Sequence, residues 1–106
     1  MTTATLTVVT SGDGATAPIE TTITPDKNWI IGRSRGADIV IDDDRVSRRH
    51  LVVERDADAW VIRDVSSNGS WHDGARIDGD GLPIPSTGEL RINLGNPAGP
   101  EVVINA

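Results

Sequence analysis

The sequence predicts an all-β sandwich of about ten strands, and three of its features do so. No segment repeats its apolar residues at helical spacing. The apolar runs are short and rich in Val and Ile, which suit a pleated, half-buried surface. Turn signals built on Gly, Pro, Asn and Asp recur between those runs at short intervals.

The elements follow in chain order. Leu6 to Thr10 is β-rich and reads as a first strand, ended by the turn signal Ser11-Gly12-Asp13-Gly14. Ile19 to Thr24 alternates imperfectly and reads as a second, ended at Pro25-Asp26-Lys27-Asn28. Trp29-Ile30-Ile31 is an apolar run that stops at Gly32, and Ile39-Val40-Ile41 is another, closed by Asp42-Asp43-Asp44. Leu51 to Arg55 and Trp60 to Asp64 flank Asp56-Ala57-Asp58 and predict an antiparallel hairpin. Trp71-His72 and Ala75-Arg76-Ile77 flank Asp73-Gly74, a pair favoured in type I′ turns, and predict a second. Asp78 to Gly81 and Pro83 to Pro85 read as irregular. Glu89 to Ile92 alternates polar and apolar, Gly95 to Pro100 turns, and Glu101 to Ile104 supplies the last strand.

A chain of 106 residues is expected to form one domain spanning 1–106. It buries roughly 65% of its unfolded surface, enough to fold alone. There is no cysteine, which excludes disulfides, thiolate metal sites and a cysteine nucleophile. The absence fits a reducing compartment. No apolar run is long enough for a membrane-spanning helix. The first residues lack the basic start and apolar core of a secretory signal, and a cytoplasmic location is expected.

The formal net charge is -6, so no broad basic face is available for nucleic acid. Yet five of the ten basic residues fall between Gly32 and His50: Arg33, Arg35, Arg45, Arg48 and Arg49. A local basic knot on an acidic body suits a discrete anionic group, such as a phosphate on a partner protein.

Three short motifs line up with that knot. Gly32-Arg33-Ser34 ends a strand, Ser47-Arg48-Arg49-His50 precedes one, and Asp64 to Trp71, with Asn68-Gly69 inside it, follows one. Gly-Arg, then Ser-x-x-His, then Asn-Gly, in this order and spacing, resembles the forkhead-associated (FHA) domain. The motifs cover roughly residues 30 to 77, and the strand layout extends the resemblance over nearly the whole chain. The resemblance implies an eleven-stranded antiparallel β-sandwich of the FHA/SMAD-like type, with ligand loops at one end. It also implies phosphothreonine-peptide binding without catalysis or cofactor, downstream of a Ser/Thr protein kinase. The tail from Leu94 to Val102 resembles that of FHA modules fused to bacterial ABC-transporter subunits.

The resemblance also assigns residues. Arg33, Ser47, Arg48 and Ser67 match phosphate contacts, and Asn68 matches the contact to the peptide main chain. Gly32, His50 and Gly69 match structural supports of the site. The chemistry agrees: a guanidinium fork takes two phosphate oxygens at once, and an amide both donates and accepts, as an extended peptide requires. Arg49 reads as a solvated bystander beside Arg48, as does Arg35. Arg45 has two readings of equal weight. It reads an acidic side chain downstream of the phosphothreonine, or it pairs with Asp42, Asp43 or Asp44. His72 and Asp73 depart from the family, where an apolar residue and asparagine are usual.

Two other classes fit poorly. Ser, His and acidic residues are present, but no local signature of a serine hydrolase is. Asp78-x-Asp80 with Glu89 has the outline of a calcium loop, but Pro83 stands where the loop requires glycine. An FHA-fold interaction domain that binds independently of phosphorylation is the remaining alternative, because function resides in loops grafted on a fold.

Overall fold

A computed structural model describes residues 3–9, 19–56, 59–77, 81–84 and 89–105. Among the described residues eleven strands form: β1 (Ala4–Val9), β2 (Ile19–Ile23), β3 (Trp29–Gly32), β4 (Ile39–Val40), β5 (Leu51–Asp56), β6 (Ala59–Asp64), β7 (Ser70–His72), β8 (Ala75–Arg76), β9 (Leu82–Pro83), β10 (Glu89–Leu94) and β11 (Glu101–Asn105). They make a six-stranded sheet, β2-β1-β11-β10-β7-β8, and a five-stranded sheet, β4-β3-β5-β6-β9. The expected turns at Ser11–Gly14, at Ala57-Asp58 and over 78–80 lie outside the described residues.

Alternation decides which side chains meet between the sheets. Ala4, Leu6 and Val8 of β1 are buried, as are Leu90, Ile92 and Leu94 of β10. Leu51 and Val53 of β5 and Trp60 and Ile62 of β6 answer them from the other sheet, and all join one core cluster. β11 departs from alternation, with Val102, Val103 and Ile104 all buried. It sits between β1 and β10 in the interior of its sheet.

Two features differ from the sequence expectation. The pairing is antiparallel throughout the described strands except between β3 and β4, which run parallel with Ile31 opposite Ile39. The Asp38 carboxylate explains the geometry. It accepts the Ile30 N–H at 2.8 Å and pairs with Lys27, so the chain doubles back beside β3 before β4 begins. Leu82-Pro83 is also a strand, although the prolines of that stretch had marked it as irregular. β9 lies at a sheet edge, where the missing proline N–H costs no ladder bond.

The second hairpin forms around Asp73 and Gly74, with φ of 50° and 78°, the positive values a type I′ turn needs. His72 is accommodated beside it by donating from Nδ1 to the Arg91 carbonyl oxygen at 3.1 Å. No helix is long and apolar enough to cross a membrane among the described residues.

Candidate functional site

The loop after β3, the loop before β5 and the loop between β6 and β7 meet at one end of the sandwich. Main-chain bonds hold the first two together. Arg33 N–H donates to the Ser47 carbonyl at 2.9 Å, and Ser34 N–H to the Arg48 carbonyl at 3.2 Å. Gly32 makes this approach possible. A Cβ there would lie 2.1 Å from the Arg48 carbonyl oxygen, so only glycine fits. The glycine serves close contact between loops, and its φ is not positive.

His50 joins the second loop to the third from a fully buried position. Its Nδ1 accepts the Ser47 N–H at 2.9 Å, and its Nε2 lies 2.8 Å from the Gly69 carbonyl oxygen. A backbone N–H can only donate and a carbonyl can only accept, so the ring is neutral with its proton on Nε2. Burial pushes its pKa below the ordinary histidine value, against smaller opposing effects of the Gly69 carbonyl and the Asp64 carboxylate.

The third loop is built on Asp64, a residue the motifs did not single out. Its Oδ1 accepts from Ser66 N–H at 3.1 Å, Ser66 Oγ at 2.5 Å and Ser70 Oγ at 3.1 Å. Ser66 Oγ in turn accepts the Gly69 N–H at 2.8 Å. The signal was present in Asp64-Val65-Ser66, an Asx-turn sequence. Gly69 has φ of 96°, which fits glycine.

These contacts leave the polar tips available. Ser47 Oγ accepts the Ser67 N–H at 3.1 Å, so its own proton is free to donate outward. Asn68 donates from Nδ2 to the Arg45 carbonyl at 3.3 Å, leaving its Oδ1 open. Arg33 donates from Nε to the Val46 carbonyl at 3.0 Å, which leaves its terminal nitrogens free.

A cleft of about 530 Å³ opens between the loops. Arg33, Ser47, Arg48, Ser67 and Asn68 line it together. Arg49, Asp44, Val46 and Val65 complete the lining, and the sequence motifs had named none of these four for the site. Arg45 is absent from the lining. Its Nε and Nη2 reach the two carboxylate oxygens of Asp43 at 3.0 and 2.9 Å, which holds the Asp43 carboxyl below its ordinary pKa.

The chain has 16 acidic residues against ten basic ones. Lys27, Arg45, Arg63 and Arg91 take carboxylate partners. Among the described residues, six arginines form no ion pair: Arg55 and Arg76, which lie over the Trp60 and Trp71 rings, and Arg33, Arg35, Arg48 and Arg49. The four that have neither a carboxylate nor a ring partner thus fall in the loops after β3 and before β5, in a protein with carboxylates in excess. No group of three or more His, Asp or Glu side chains among the described residues is placed to hold a metal ion.

The comparisons with known proteins agree with this geometry. No curated protein matches the chain. Among solved structures, FHA-1 of Rv1747 from Mycobacterium tuberculosis is 27% identical with a TM-score of 0.77, over 98% of this chain and 97% of that one. An FHA domain from a structural and functional study of phosphothreonine-dependent FHA domain interactions is 25% identical with a TM-score of 0.73, over 99% and 97%. The FHA domain of CT664 from Chlamydia trachomatis, 24% identical with a TM-score of 0.79 over 99% and 98%, shows the shared fold. The FHA domain family profile matches residues 29–95, from β3 through all three loops to the end of β10, and on that match this chain belongs to the FHA family.

Proposed function

We propose that this chain is a non-catalytic protein-protein interaction module that binds a phosphothreonine-containing partner in Ser/Thr kinase signalling. The observation that carries the reading is the cleft in which unpaired Arg33 and Arg48 lie with the outward-facing Ser47 hydroxyl. A threonine phosphate carries about -1.5 to -2 charges at neutral pH and three strong acceptor oxygens. Arg33, Ser47, Arg48 and Ser67 supply donors to them, and Asn68 holds the peptide main chain on either side. Gly32, His50 and Gly69 keep the three loops in register. The relative from the study of phosphothreonine-dependent interactions supports the same ligand.

Val65, half exposed in the lining, gives the cleft an apolar part against which the threonine γ-methyl would rest. One buried methyl is worth about 1 kcal/mol by transfer, so any larger preference over phosphoserine comes from fit. The module would act in the cytoplasm as one domain of 1–106, with a Ser/Thr kinase upstream.

Titration of one peptide as its threonine, phosphothreonine and phosphoserine forms tests the reading. Binding is expected for phosphothreonine, weaker binding for phosphoserine and none for threonine. Equal affinity for the three would replace it with phosphorylation-independent binding.

A further inference from the structure

We infer that Arg76 is a positioning residue for the β6–β7 loop: its guanidinium covers Gly69 and thereby holds Asn68 in place for the peptide main chain. The inference rests on the phosphothreonine reading and adds a residue from outside the three loops. Trp71 and Arg76 face each other across the β7–β8 hairpin. The Arg76 guanidinium carbon lies 5.8 Å from the centre of the Trp71 ring. The same group reaches Gly69. A Cβ built on Gly69 would lie 2.6 Å from Arg76 Nε, 2.9 Å from Cζ and 3.1 Å from Nη2. The guanidinium therefore fills the space that a side chain at position 69 would take. Arg76 is absent from the cleft lining, so it acts through the loop and not on the phosphate.

Gly69 needs such a cover. Its φ of 96° favours glycine, which is also the residue least restrained by its own backbone. It is nonetheless buried, while Ser67 and Asn68 just before it are exposed. Its N–H donates to Ser66 Oγ at 2.8 Å. Its carbonyl oxygen lies 2.8 Å from His50 Nε2 and accepts the Gly95 N–H at 2.9 Å. Those bonds fix the peptide groups on either side of the Gly69 Cα, and Arg76 closes the side that they leave open. Asn68 depends on this neighbour, because its own bond to the Arg45 carbonyl is long, at 3.3 Å. Arg76 is free for the task, since no carboxylate among the described residues pairs with it. The Trp71 ring holds it from the other side, as an aromatic face does a guanidinium.

The test is calorimetric titration of one peptide, phosphorylated and unphosphorylated on its threonine, against the wild-type chain, Arg76→Ala and Arg76→Met, each with and without Asn68→Ala. Methionine is neutral and long enough to cover Gly69. Arg76→Ala is expected to weaken phosphopeptide binding by about fivefold, and Arg76→Met to keep most of the wild-type affinity. With Asn68→Ala in place, Arg76→Ala is expected to add no further loss, because its effect passes through that side chain. Hydrogen exchange of the Gly69 N–H in the free chain is expected to speed up in Arg76→Ala and not in Arg76→Met, a readout that holds even where binding is too weak to titrate. Unchanged affinity in Arg76→Ala overturns the inference, whatever happens to its thermal stability. Equal losses in Arg76→Ala and Arg76→Met overturn it too, since they mark a long-range effect of charge. So does a loss of the same size in the Asn68→Ala background, or Gly69 exchange that Arg76→Ala leaves unchanged. Failure of the phosphothreonine reading looks different: the wild-type chain then binds the phosphorylated and unphosphorylated peptides alike.

Discussion

At the scale of single residues, the site is defined by which charges are already spent. Arg33 gives its Nε to the Val46 carbonyl and keeps its fork free, while Arg45 commits its guanidinium to Asp43. Removing each tests a different thing. Arg33→Ala is expected to weaken phosphothreonine-peptide binding by about 2 kcal/mol or more, on the order of thirtyfold, as loss of a charge-assisted contact requires. Unchanged affinity in that variant would place the anion elsewhere. Asp43→Asn should release Arg45 rather than damage the cleft. The freed guanidinium is expected to raise the preference for Asp over Ala at the third residue after phosphothreonine by about threefold, read by competition titration. If the ratio stays where it is in wild type, Arg45 serves the loop alone.

At the scale of elements, three loops carry the site and a fourth sets their spacing. Gly95, in the turn between β10 and β11, donates its N–H to the Gly69 carbonyl at 2.9 Å, the same oxygen that faces His50 Nε2. A Cβ on Gly95 would lie 2.0 Å from the Arg45 carbonyl oxygen, which is the acceptor for Asn68. Gly74 provides an internal control. Its φ of 78° nearly equals the 77° of Gly95, but a Cβ there meets nothing within 4 Å. Alanine at either position incurs a left-handed backbone strain of about 1 to 2 kcal/mol. Only Gly95→Ala also displaces Arg45 and with it Asn68. Thermal unfolding is expected to show both variants destabilised, while phosphopeptide affinity falls by about tenfold in Gly95→Ala alone. Equal affinities in the two variants would remove the fourth loop from the site.

The legibility of these elements follows from the same physics. Strands with alternating burial, such as β1, β6 and β10, declare themselves by composition, and so does the Asp73-Gly74 hairpin. β9 did not, because an edge strand tolerates the proline that argues against a central one. The parallel β3–β4 pair depends on Asp38 reaching Ile30 across a loop, and spacing does not reveal that contact. In the site, Arg33, Ser47 and Asn68 were legible because each sits in a short motif. Arg49 and Val65 were not, since lining a cleft depends on which loops the fold brings side by side. Gly95 likewise matters through a backbone contact to Arg45, fifty residues earlier in the chain.

At the scale of the whole molecule, the buried His50 ties global stability to the state of the ligand loops. Its N–H donates to the Ile31 carbonyl at 2.8 Å, its carbonyl receives Val65, and its ring spans Ser47 and Gly69. Protonating Nδ1 would set a second donor against the Ser47 N–H, so the fold holds the neutral form. The unfolded chain takes up that proton near the ordinary histidine pKa of about 6.5, and the folded chain only at lower pH. Between the two values the unfolded state binds more protons, so stability rises with pH there. The stabilisation is complete above about pH 6.5, declines as pH falls below it, and is lost once the folded pKa is passed. Urea unfolding is expected to give midpoints that are flat above that pH and fall below it. The slope should vanish in His50→Asn, whatever that variant's absolute stability. A wild-type midpoint that does not change as pH falls to about 5 would refute a neutral, buried His50. Stability is a cleaner readout here than affinity, because the phosphate of the ligand has its own second pKa near 6 and changes charge over the same interval.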